Sequence, residues 1–142
     1  MPRTLALILA ALVIGATAGC LRTRYDPAKA TPAYPNTRLS TKTVDVQVFR
    51  EGAEIELINA TANSYRDFRL WINQRYTREV DQLLAGESIR ISLWDFWDER
   101  GEVFNAGGVW RTEQPTPVRL VEIEADGVMV GLITIRAEPA DA

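Results

Sequence analysis

The chain of 142 residues predicts an all-β fold of about seven short strands, packed as two antiparallel sheets face to face, and three observations carry that expectation. Apolar and polar residues alternate with a period of two through most of residues 43–137. Turn-forming groups separate the alternating runs at short intervals. No stretch of this region keeps the helical period for longer than a turn or two. Elements of this kind bury their apolar faces by stacking sheet on sheet.

The elements follow in order. VDVQVF sets Val44, Val46 and Val48 on one face against Asp45 and Gln47, and AEIELIN repeats the pattern with Ala53, Ile55 and Leu57. Arg50-Glu51-Gly52 between them reads as a tight hairpin turn. RDFRLWIN aligns Phe68, Leu70 and Ile72, and RYTREV pairs back after Asn73-Gln74. SIRISL aligns Ile89, Ile91 and Leu93 after a turn at Ala85-Gly86-Glu87. VRLVEIEA and VMVGLITIRA meet across Asp126-Gly127, a dipeptide favoured in two-residue hairpins because both residues tolerate positive φ. In VRLVEIEA the apolar phase switches between Leu120 and Val121, which predicts a bulge or burial on both faces. VMVGLITI is almost continuously apolar, as in a central strand. Together these strands predict an Ig-like antiparallel β-sandwich over residues 43–137, with 138–142 as a C-terminal tail.

Upstream, Arg3 is the sole charge before an uncharged stretch from Leu5 to Gly19. A helix of this length reaches only about 22 Å, short of the roughly 30 Å hydrocarbon layer, so residues 1–19 read as a removable signal peptide rather than a retained span. Ala16, Thr17, Ala18 and Gly19 directly before Cys20 resemble the lipobox of bacterial lipoproteins, with Thr17 standing where Leu is usual. That resemblance implies lipidation of Cys20, a membrane partner through the lipid anchor, and a bacterial envelope location. Leu21 in place of Asp implies the outer membrane, facing the periplasm. Ala16-Thr17-Ala18 also fits ordinary signal peptidase, which would release a soluble chain starting at Gly19. Several acyl chains anchor stably where one would not.

Residues 20–42 contain Pro27, Pro32 and Pro35 among polar residues, without periodicity, and predict a flexible linker with a mean span on the order of 25 Å. Arg22, Arg24, Lys29, Arg38 and Lys42 make it basic, which suits either anionic lipid or a plain soluble spacer.

The stretch from about residue 53 to 93, with Asn59 ending a strand, Trp71 within one and the turn Leu84-Ala85-Gly86-Glu87, resembles bacterial extracytoplasmic Ig-like or fibronectin-like modules. The resemblance implies a fold and a binding, spacing or scaffolding role, with an envelope protein or glycan as partner. It implies no activity.

Absent residue types narrow the chemistry. The chain has no histidine and one cysteine, so Ser-His-Asp and Cys-His nucleophilic systems and His- or Cys-ligated zinc are excluded. No phosphate-cradling glycine loop is present, and no cofactor is expected. The net charge of −3 becomes one unit more negative once Arg3 leaves, which gives no basic footprint for nucleic acid. A non-enzymatic structural or interaction role is the expectation.

Carboxylates gather in residues 93–110, where Asp95, Asp98, Glu99 and Glu102 lie among Trp94, Phe96, Trp97, Phe104 and Trp110. Four readings apply: aromatics plugging the core beneath solvated acids; a calcium site on those four acids, although the spacing matches no EF-hand; a carbohydrate or peptidoglycan platform on Trp94, Trp97 and Trp110; and glycosidase chemistry, which needs one carboxyl with a raised pKa. Alternation also places Trp71 with Arg69 opposite Phe68, Leu70 and Ile72, either as an exposed contact for a partner or covered by a loop or the linker. Asn59-Ala60-Thr61 matches a glycosylation acceptor, accidental in a bacterial lipoprotein.

Overall fold

The structure is a computed structural model that describes residues 24–37, 40, 42–108 and 114–135. The signal peptide, Cys20, Trp110 and the C-terminal tail lie outside the described residues. The fold is all-β, with strands β1 (Thr43–Glu51), β2 (Glu54–Asn59), β3 (Tyr65–Ile72), β4 (Tyr76–Leu83), β5 (Ser88–Ser92), β6 (Val121–Ala125) and β7 (Val128–Ile135). Helical structure among the described residues is confined to the 3₁₀ turns Pro27–Lys29 and Leu93–Asp95.

The seven strands form one mixed sheet in the order β4-β3-β6-β7-β1-β2-β5, curled until it is nearly closed like a barrel. Its free edges approach one another, since Val80 and Asp81 of β4 line the same cleft as Ile89 and Ile91 of β5. The all-antiparallel expectation is corrected at one place, where β1 and β7 run parallel. These are the first and last strands, so no hairpin dictates their relative direction. β1 is hydrogen-bonded to β2 on one side and β7 on the other, with a register shift between Val44 and Gln47. That shift lets one strand join β4-β3-β6-β7 to β2-β5 as a continuous sheet.

Alternation fixes what faces inward. Val46, Val48, Ile55, Leu57, Phe68, Leu70, Ile72 and Ile91 all enter one core with Leu93, Phe96 and Phe104. The predicted phase switch before Val121 is the start of β6, which makes VRLVEIEA a shorter strand than expected. Residues 114–120 carry no strand pairing of their own; Asn73 ties them down, donating to the Pro117 carbonyl at 2.8 Å and accepting from the Arg119 amide at 2.8 Å.

Residues 24–37 depart from the flexible linker expected over 20–42. They lie against the domain as a strap, and the prolines that suggested a coil instead hold it in non-repeating conformations that side chains and backbone then pin.

Candidate functional site

The strap starts beside residues 98–103. The Val103 amide donates to the Arg24 carbonyl at 2.9 Å, and the Asp26 amide donates to the Gly101 carbonyl at 2.8 Å. Asp26 then caps the 3₁₀ turn that follows, accepting from the Ala28 amide at 3.0 Å with Pro27 in the first position. Next, the Thr31 amide donates to the Asp98 carbonyl at 3.0 Å and its hydroxyl to the Trp97 carbonyl at 3.1 Å. Gly101 is needed for this approach. Its φ is +83°, and a Cβ there would lie 2.2 Å from the Asp26 carbonyl oxygen.

Further along, the strap covers the outer face of β3, β6 and β7. Tyr34, Trp71 and Met129 form a buried cluster separate from the main core, with the Tyr34 and Trp71 rings edge to face at 5.2 Å. The Tyr34 hydroxyl donates to Glu122 Oε2 at 2.9 Å and accepts from Gln74 Nε2 at 3.3 Å. Trp71 Nε1 donates to Glu124 Oε2 at 2.9 Å. Burial, then the hydrogen bond to the Glu122 carboxylate, pushes the Tyr34 phenol up to about 12. Trp71 and Glu122 are cross-strand partners, so both point outward by the same alternation that sends Leu70 and Ile72 inward. Each would be exposed without the strap; with it they are 1 % and 2 % exposed. Of the two readings of Trp71, an exposed contact or a residue covered by a loop or the linker, the structure shows the covered one. Arg69 stays half-exposed and faces Glu79 at 3.5 Å.

Three of the four acids proposed for calcium, Asp95, Asp98 and Glu102, are engaged by arginines in ion pairs. Asp98 is buried and accepts from Arg75 Nε at 2.9 Å and Nη2 at 2.7 Å, while its other oxygen accepts from the Arg100 and Glu102 amides at 2.9 and 2.8 Å. Burial alone would raise the Asp98 carboxyl, but the Glu102 amide, the Arg75 guanidinium and the Arg100 amide outweigh it and hold the group below its ordinary value. The bond to Asp98 raises Arg75 in turn. Arg75 also pairs with Glu102, Asp95 faces Arg78 at 3.3 Å, and Glu99 is exposed. Among the described residues no group of three or more acids is disposed to hold a metal ion.

The aromatics divide. Phe96 and Phe104 are wholly buried in the core, Trp94 is half-buried against it, and Trp97 is half-buried beside a cavity of about 440 Å³ that Lys29, Thr31, Arg78 and Asp95 also line. Asn59 is fully buried; its Oδ1 accepts from the Thr61 amide and hydroxyl at 3.0 and 2.7 Å, which makes this residue a loop brace.

Tyr34, Arg75, Glu122 and Glu124 were not anticipated. The signal for Glu122 lay in the VEIEA alternation, which puts it opposite Val121 and Ile123; nothing local to Tyr34 marks its partner 88 positions away. No family model matches the chain, and neither a curated protein nor a solved structure does.

Proposed function

We propose that this chain is a lipid-anchored module of the bacterial cell envelope, acylated at Cys20, whose role is structural or protein-binding rather than catalytic. The observation that carries the reading is the strap: four positions after the cysteine, the backbone is already bonded to the domain at Arg24 and Asp26 and remains fastened through Tyr34. A load applied at the lipid would reach the sheet through those bonds, which suits a tethered scaffold. We read the fold as Ig-like, supported by the strand order, with β4-β3-β6-β7 as one layer and β1-β2-β5 as the other. The non-catalytic reading is supported by Asp98, whose shift is opposite to that of a general acid at neutral pH. The outer membrane, facing the periplasm, is the proposed location, on the sequence signal at Leu21.

Labelling of the full chain with radioactive fatty acid in a Gram-negative host tests the anchor. Label in the wild type and none in Cys20→Ala is the expected result, and an unlabelled wild type refutes it. A glycan-binding reading is favoured by half-buried Trp97 in the lining of a cavity that Lys29, Arg78 and Asp95 share; a rise in the melting temperature of the full chain with peptidoglycan fragments would select it.

A further inference from the structure

We infer that the domain stands end-on to the membrane, with the end that carries Tyr25, Lys29 and Arg100 against the lipid headgroups and the Asp126-Gly127 turn pointing away. This rests on the anchored reading above and adds to it the surface that meets lipid. Four chain steps separate Cys20 from Arg24, and a fully extended chain covers at most about 14 Å in that number. The opposite end is farther off, because the eight residues of β7 alone extend about 26 Å along the sheet. A tether this short keeps the strap end beside the bilayer while the strap stays bonded, and the chemistry of the two ends then decides which one meets lipid.

The topology sorts the ends. At the near end lie residues 98–103, bonded to Arg24 and Asp26, and the β3–β4 hairpin, whose Arg75 reaches Asp98. At the far end lies the β6–β7 hairpin, beyond Ala125 and Val128.

The chemistry of the two ends agrees with this orientation. Near the anchor, Tyr25 is 58 % exposed, and tyrosine favours the boundary between headgroups and water. Lys29, Glu99 and Arg100 are exposed at this end, and the two long cationic side chains reach headgroup phosphates while laying their stems on apolar surface. Arg75 neutralises part of the Asp98 and Glu102 charge at the same end. Toward the far end, Asp67, Asp81, Glu124 and Asp126 line a cavity of about 340 Å³ with Arg69 as the one cation in its described lining; Glu79 lines it too, but also lines the cavity beside Lys29. An anionic lipid surface repels that end.

The test uses the full-length acylated protein in vesicles of phosphatidylethanolamine and phosphatidylglycerol. Because acylation blocks Cys20, a cysteine introduced at exposed Glu99 or exposed Val128 takes a nitroxide label alone. Collision with membrane-dissolved oxygen relative to an aqueous nickel chelate is expected to be several-fold higher for Glu99→Cys than for Val128→Cys. A twenty-residue glycine-serine insertion between Thr23 and Arg24 is expected to erase much of the difference. Equal ratios at the two positions on a chain shown by mass spectrometry to be acylated would overturn the orientation and leave the anchor standing. An unacylated chain would overturn both.

Discussion

The protein buries aromatic rings in two places by two different means. Phe68, Phe96 and Phe104 lie in the main core, Phe68 directed there by the alternation of β3 and the other two brought in by the segment that follows β5. Tyr34 and Trp71 lie on the opposite face of β3, in a cluster that exists because a segment from before the first strand is laid over it. The main core is packed almost wholly from hydrocarbon side chains. The outer cluster joins a small apolar contact to carboxylates at Glu122 and Glu124, so its rings are held by directed bonds as much as by burial. A face of the second kind is conditional: remove the strap and Trp71 and Glu122 meet water, while Phe104 does not.

The largest break in this comparison comes from the main core. Phe104→Ala deletes a wholly buried ring that also stacks edge to face on Tyr76 at 5.1 Å. A loss of about 3–5 kcal/mol in global stability is expected by chemical denaturation. Protection of the strap amides should fall together with that of the strands, because the surface beneath the strap disappears with the fold.

Next in size is the ion cluster that joins the two regions. Asp98→Asn keeps the shape but removes the charge that Arg75 grips, and about 2–3 kcal/mol is expected at neutral pH. The native Asp98 carboxyl lies below its unfolded value of roughly 3.9. Its contribution is therefore full above that value and is lost as pH falls through the lower native one. The stability gap between wild type and Asp98→Asn should narrow on acidification in that window; a gap constant from neutral pH down to pH 2 would contradict the assigned pairing.

Tyr34→Phe acts on the outer cluster alone. It keeps the ring on Trp71 but removes the hydroxyl that Glu122 accepts from, at an expected cost of about 1–2 kcal/mol. Because the native phenol is raised from its ordinary value near 10 to about 12, wild-type stabilisation is complete below pH 10 and drains away as pH rises toward 12. Hydrogen exchange should report the loss in the strap before the strands, and Tyr34→Phe should lack that alkaline phase.

The inner face was legible in the sequence because its information is local. Alternation in VDVQVF, AEIELIN, RDFRLWIN and SIRISL names the core residues of four strands directly, since each strand carries its own inward set. The parallel β1–β7 pair was not legible, because nothing in either strand specifies a partner more than 80 positions away. The strap was hidden for a related reason. Pro27, Pro32 and Pro35 deny it regular structure, and its contacts run through single residues such as Thr31 and Tyr34 to carbonyls and a carboxylate on distant elements. The carboxylate-rich stretch at 95–102 showed its acids in the sequence but not Arg75, which comes from a hairpin turn and decides what those acids do.

The smallest expected effect tests where the outer cluster ends. Arg69 shares the outward phase of Trp71 on β3, two positions away, and was a contact candidate on that ground. The strap does not cover it: its side chain is 37 % exposed, and its partner Glu79 is 81 % exposed at 3.5 Å. Solvent screens such a pair, and the entropy of fixing two long side chains offsets most of what remains. Arg69→Ala should therefore change stability by less than about 0.5 kcal/mol and leave strap exchange unaltered. A larger loss, with faster exchange at Tyr34, would mean that the outer face is one cooperative unit extending beyond the strap. The contrast between an unconditional core and a locally fastened cover would then have to be redrawn, because Arg69 would be acting through Trp71 and Glu124 rather than through Glu79.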